Sequence, residues 1–252
     1  MQVLRLKMIV AACVLLMGYK PVYAQNAAEI LDRMEQVMRG DSGYSEMKMK
    51  IVRPRYEREI SMRSWHMGTD YSLVLITAPA RDEGIAYLMR ENDIWNYDPR
   101  IDRTTRLPSS MMAQSWMGSD FTNDDLVRDT NINRDYEHTI LRTEELEGRE
   151  SYVIELIPKP GTPIVWGKVL IWVGTDDYLQ LRVENYDQRF ELVNTMQLDQ
   201  ITEMGGRVIP TRFTITPAGK ENEQTVLVYE AMDFNIDIDE SFFSRANMQR
   251  VR

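Results

Sequence analysis

The side chains that could do chemistry are few. His66 and His138 are the only two histidines, and neither has a carboxylate or a second histidine at metal-ligand spacing. HExxH, GxSxG, the P-loop and GxGxxG are all absent. The acid pairs Asp124-Asp125 and Asp176-Asp177 fall at an expected helix start and an expected turn, where solvated acids are ordinary. Neither an enzyme nor a cofactor site is expected from this inventory. Methionine is the unusual residue, at 17 copies. Met1, Met8 and Met17 stand at the start; the others are interspersed with Trp65, Trp95, Trp116, Trp166 and Trp172. Thioethers are flexible and polarizable, which suits a surface that accepts apolar ligands of varied shape. Met47 and Met49 share a strand face and raise copper(I), but no histidine or cysteine stands with them.

The address comes from the first residues. Arg5 and Lys7 precede the apolar run Met8–Met17, and Val22-Tyr23-Ala24 places small residues before Gln25. A basic start, a short apolar stretch and a small-x-small exit predict a secretory signal over 1–24, with a single domain over 25–252. Cys13, the one cysteine, would leave with that signal, so no disulfide, thiolate metal site or cysteine nucleophile is expected. The chain has 252 residues, 43% hydrophobic and 27% charged, which is globular composition and excludes a bundle of membrane helices. Its formal charge is −9, and removing the signal (three bases, no acid) leaves −12. Nucleic acid is therefore not an expected partner.

Elements must position whatever site exists. Ile30, Leu31, Met34, Val37 and Met38 recur at helical spacing, with Asn26 as the expected N-cap and Gly40 as the stop. The period then changes to two. Met47/Met49/Ile51, Ile60/Met62, Tyr71/Leu73/Leu75 and Ile85/Tyr87/Met89 each form one face of a strand, and 94–97 and 102–107 read as short strands. Residues 109–130 break the pattern and predict two short helices, capped by Ser109 and Thr122. Strands resume at 136–141 and continue to 225–234. Residues 165–173 are apolar on both faces, so that strand needs cover on both sides. The fold class is mainly β, with about eleven antiparallel strands that must curl to manage their edges, and helices on the concave side.

Residues Met111–Val127, Met-Met-Ala-Gln-Ser-Trp-Met-Gly-Ser-Asp-Phe-Thr-Asn-Asp-Asp-Leu-Val, resemble the signature segment of the LolA-like outer-membrane lipoprotein-sorting proteins. Trp166-Gly-Lys-Val, Asp177-Tyr-Leu-Gln-Leu and Ile238-Asp-Glu-Ser-Phe-Phe243 extend the resemblance over nearly all of 26–252. It implies an unclosed β-barrel plugged by helices, and a periplasmic chaperone. Such a carrier would take a lipoprotein or lipid from an inner-membrane ABC-type transporter, hide its acyl chains and pass them to an outer-membrane acceptor. The same resemblance leaves open a non-enzymatic adaptor or sensor of an envelope system with no lipid cargo. The dedicated carrier's mouth arginine has no single match; Arg53, Arg55 and Arg58 are the candidates.

The expected ligand site follows from those faces. The plug would be the first helix with residues 109–130, where Met111, Met112, Trp116 and Met117 exchange partners as lipid enters. The wall would be Met47, Met49 and Ile51, Ile60 and Met62, Leu73 and Leu75, with Trp95 and Trp172. Strand parity fixes which of these share a face, but not which face is concave.

Overall fold

Alternating residues after Gly40 fold into one antiparallel sheet. The computed structural model describes residues 26–91, 93–127, 132–162, 164–220 and 222–251; the expected signal at 1–24 lies outside them. Thirteen strands are present among the described residues. They are β1 (Ser42–Arg53), β2 (Tyr56–Met67), β3 (Tyr71–Ala78), β4 (Ala86–Arg90), β5 (Asp93–Asp98), β6 (Arg103–Arg106), β7 (Tyr136–Leu146), β8 (Arg149–Pro158), β9 (Lys168–Gly174), β10 (Gln180–Tyr186), β11 (Leu192–Met204), β12 (Arg207–Pro217) and β13 (Gln224–Phe234). Their order is β6-β5-β4-β3-β2-β1-β13-β12-β11-β10-β9-β8-β7. The first strand pairs with the last, which joins an N-terminal and a C-terminal half. The edges β6 and β7 do not meet, so the barrel is open. The count exceeds the expected eleven; the short strands expected at 94–97 and 102–107 are present as β5 and β6 and pair with their neighbours.

Helices cover the inner face. Helix α1 (Ala27–Met38) is capped as expected, the Ala28 N–H donating to Asn26 Oδ1 at 3.1 Å. Ile30, Leu31 and Met34 are buried with Tyr136, Ile154, Leu156, Val169 and Ile171 over the C-terminal half. The helix stops at Gly40, whose φ is +74°. A Cβ there would stand 2.7 Å from Asn235 Oδ1, so the turn requires glycine twice over.

The chain between the two edges plugs the N-terminal half. It carries a 3-10 turn at Ser109–Met111, α2 (Asn123–Val127) and α3 (Ile132–Asp135). Thr122 caps α2 as expected: its Oγ1 accepts from the Asp125 N–H at 3.1 Å, and its own N–H donates to Asp125 Oδ2 at 2.8 Å. That is a capping box with aspartate in the acidic position. Ser109 is not a cap. It is the first residue of the 3-10 turn, behind Pro108, and its side chain caps nothing.

Register decides which face is which. Met47, Met49 and Ile51 of β1, Ile60 and Met62 of β2, and Val74 and Ile76 of β3 pack with Met112, Trp116 and Phe121 on the inner face. Leu73 and Leu75 lie on the opposite face, which corrects their expected place in the wall. A row of cross-strand partners, Trp65, Leu73, Leu88 and Trp95, runs along the outside of β2 to β5. The C-terminal segment covers it with Phe242, Phe243 and Met248 from its 3-10 turn (Glu240–Phe242) and α4 (Arg245–Met248). Trp95 therefore also leaves the wall. Trp172 does the same on β9: it packs with Val153 and Leu170 on the outside, while Val169, Ile171 and Val173 face α1. This meets the expectation that the 165–173 strand is covered on both sides. Leu73 and Leu75 do share a face, as parity requires, but β3 and β9 are buried on both faces, so alternation carries no inside-outside signal there.

Candidate functional site: a lidded hollow in the open barrel

Two adjoining hollows among the described residues lie between the sheet and its plugs. The first, about 290 Å3, is walled by Met47, Met62 and Val74 from one half and by Met196, Phe213 and Leu227 from the other. Its polar end holds Ser45, Ser64, His66 and Ser72. The second, also about 290 Å3, lies against α3 and β8 to β12, with Tyr136, Leu156, Trp166 and Ile171 in its lining. Phe121, Asp125, Gln180 and Met196 line both, so the hollows adjoin at these side chains. Each is at the bottom of the range for ligand pockets, and together they fall within it.

A lid closes the N-terminal side. Residues 115–122 fold back on themselves: the Trp116 N–H donates to Phe121 O at 2.8 Å and the Ser119 N–H to Trp116 O at 2.9 Å. Met117 and Gly118 both have positive φ, +50° and +84°, which makes a tight primed turn at the tip. Glycine takes that conformation freely, and Met117 takes it against its preference. The tip is then tied down. Arg58 Nη1 donates to Met117 O at 2.8 Å and Arg53 Nη2 to Gly118 O at 3.1 Å. Arg53 grips Asp120 with two hydrogen bonds, 2.9 and 3.0 Å. The Asp120 N–H donates to Thr225 Oγ1, and that hydroxyl donates back to Asp120 Oδ2. Arg58 Nη2 also reaches Asp82 at 2.7 Å. Burial alone would raise the Asp82 carboxyl, but the Arg58 and Arg81 guanidiniums hold it below the ordinary range. Of the three candidate mouth arginines, Arg53 and Arg58 contact the lid, and Arg55 is exposed in the β1–β2 turn.

The expected site residues divide accordingly. Met112 and Trp116 are buried under the lid with Met49, Ile51 and Ile60, and Met111 and Met117 pack half-buried at its margin. Met47 and Met62 reach the first hollow. The C-terminal wall was not foreseen. Met196, Phe213 and Leu227 come from strands β11 to β13, whose own period-two faces would have flagged them once β1 and β13 were known to pair.

His66 bounds the polar end. Its ring lies against Gly43, where a Cβ would sit 2.5 Å from Cε1. Burial first, and the Arg39 charge second, push its pKa down to about 3. The unfolded chain takes that proton near pH 6.5, while the folded one stays neutral. Folding stability is thus full above the unfolded value and is lost as pH falls toward the folded one. Between about pH 7 and pH 5 the loss from His66 is about 2 kcal/mol. Urea midpoints of the wild type and His66→Gln at both pH values check this: the variant should show the smaller acid loss. Equal losses would remove His66 from the account.

Comparison with known proteins agrees with the architecture. A family model described as "Uncharacterized protein" matches residues 68–250. No curated relative matches significantly. The crystal structure of a DUF1329 family protein from Desulfovibrio piger is 25% identical, covers 88% of this chain and 97% of its own, and superposes with a TM-score of 0.78. A LolA superfamily protein from Nitrosomonas europaea is 26% identical, with coverages of 87% and 98% and a TM-score of 0.76. An outer membrane lipoprotein-sorting protein domain from Vibrio parahaemolyticus, at 22% identity, coverages of 88% and 97% and a TM-score of 0.78, is alike in fold. The open thirteen-strand sheet, its helical plugs and these matches together make the chain a member of the matched family, with the fold of the LolA-like outer-membrane lipoprotein-sorting proteins.

Proposed function

We propose that this protein is a periplasmic carrier that shelters the acyl chains of lipoproteins or lipids and moves them toward the outer membrane. The observation that carries the reading is the pair of adjoining apolar hollows between two halves of an open sheet, under a lid held by polar contacts. Each methylene taken out of water is worth about 0.8 kcal/mol, so a bare acyl chain does not cross an aqueous compartment at a useful rate. A carrier must match that surface and still let go. An open barrel does so when lid contacts compete with ligand contacts. Here Met111, Met112, Trp116 and Met117 are the groups that exchange sheet contacts for ligand contacts. Met47 and Met62 form the wall they uncover, with Met49, Ile51 and Ile60 beneath. The donor would be an inner-membrane ABC-type transporter and the receiver an outer-membrane acceptor, with no catalysis by the chain itself.

Titration with a synthetic lipopeptide, read by tryptophan emission, tests the reading. The expected response comes from Trp166, which lines the second hollow, and from Trp116, which the lid packs into the inner cluster. A saturable shift is expected, together with lipid in an organic extract of protein purified from the native host. A flat titration and a lipid-free extract would reject the carrier. An adaptor or sensor is the second reading, and one observation favours it: the N-terminal half of the concavity is already filled by Trp116, Met112 and their partners. Under that reading the emission stays flat and a protein partner co-purifies.

A further inference from the structure

A hydrocarbon cargo needs no carboxylate, yet one stands at the junction of the two hollows. Asp125 lines both, beside Phe121, Gln180 and Met196. Its side chain is exposed, and it lines both hollows. Two of its acceptor positions are used: Oδ2 takes the Thr122 N–H at 2.8 Å and Oδ1 the Trp166 indole N–H at 3.0 Å. A carboxylate offers about four such positions, so about half its capacity is left over. Burial holds this carboxyl above the ordinary range, against the hydrogen bonds from Thr122 and Trp166 that lower it, and no cation contributes. The two donors also fix its place. Thr122 ties it to the start of α2, and Trp166 ties it to the chain before β9.

Such a group sorts apolar ligands by what they carry next to the chain. A fatty acid brings a second anion beside the first and is repelled. An ester brings acceptors only, and leaves the carboxylate unpartnered. An amide brings an N–H. We propose that the two hollows form one site for an acyl chain joined through an amide, and that Asp125 accepts the amide N–H at the junction while the apolar arms lie on either side. This rests on the reading of the hollows as a cargo cavity, and it narrows the cargo to N-acyl compounds.

Matched twelve-carbon probes test it at about pH 8, well above the carboxylate range. N-Methyldodecanamide has the donor, methyl dodecanoate is its isostere without one, and dodecanoate has the anion. Each is titrated below its micelle concentration, by calorimetry and tryptophan emission. The amide should bind about tenfold tighter than the ester, a difference typical of a hydrogen bond to a charged acceptor, with dodecanoate the weakest. Asp125→Asn should bring amide and ester to within about twofold and strengthen dodecanoate by about tenfold. That gain cannot come from a damaged fold, and thermal melting of the variant checks the helix cap separately. A dodecanoyl tripeptide amide distinguishes lipopeptide cargo, if it binds tighter than N-methyldodecanamide, from a free acyl amide, if it does not; both orders require the donor. Equal binding of amide and ester by the wild type overturns the proposal while leaving a cavity that binds chains. Unchanged ratios in Asp125→Asn overturn it likewise. Failure of every probe to bind removes the carrier reading, and this inference with it.

Discussion

Arg53→Ala is expected to free the lid tip and to lower folding stability by about 3 kcal/mol. The side chains of Arg53 and Asp120 are only 13% and 10% exposed, so water cannot replace the lost partner. Two near-parallel N–H···O bonds join them, the geometry in which guanidinium and carboxylate attract most strongly. Arg53 also donates to the carbonyls of Val52, Gly118 and Gln224, so one side chain stitches β1, β13 and the lid together. Truncation leaves Asp120 a half-paired anion with the Thr225 hydroxyl as its remaining side-chain donor. Asp120→Asn should cost less, because the amide oxygen keeps an acceptor for Arg53 and the Glu223 carboxylate stays 3.8 Å from its guanidinium. Arg53→Lys should fall between, since an ammonium cannot grip both oxygens in plane. Urea unfolding measures the ranking, and limited proteolysis between residues 113 and 120 reports the lid. A loss below about 1 kcal/mol, with cleavage unchanged, would mean that the apolar contacts of Trp116 alone hold the lid shut.

The latch was beyond reach of the sequence for a geometric reason. Arg53 and Asp120 are 67 residues apart, and Asp120 and Thr225 are 105 apart. They meet only because β1 pairs with β13, an association of chain ends that no local period encodes. The elements themselves were legible where one face is wet. The α1 stripe, its Asn26 cap and its Gly40 stop follow directly from spacing. So do the inner faces of β1 and β2, where Lys48 and Lys50 alternate with methionines and mark the outside. Leu73, Leu75, Trp95 and Trp172 were misplaced because both faces of their region are dry: the C-terminal segment covers one outer patch, and Leu146 and Tyr186 help to cover the other. Asp125 was legible as a helix-start acid and not as a cavity group, since a capping box looks the same whether it faces solvent or a void.

Trp116→Ala separates the two readings of the filled half of the barrel. The ring is fully buried, lies 5.5 Å from that of Tyr87, and packs with the inner-face methionines. Its indole N–H has no hydrogen-bond partner, so truncation forfeits packing and no polar contact. Removing a buried ring of this size costs about 3–5 kcal/mol, and the loss is expected under either reading. What differs is binding. If Trp116 occupies space that cargo claims, its removal takes away the competitor. A long-chain amide should then bind about tenfold tighter than to the wild type and recover part of the lost stability by mass action. Trp116→Phe should sit between, with a smaller loss and a smaller gain. If the ring is ordinary core, the variant is weakened, binds nothing better, and is not rescued by ligand. Thermal melts with and without N-methyldodecanamide decide between these outcomes, because a rise larger in the alanine variant than in the wild type requires that ligand and indole exclude one another from the same space.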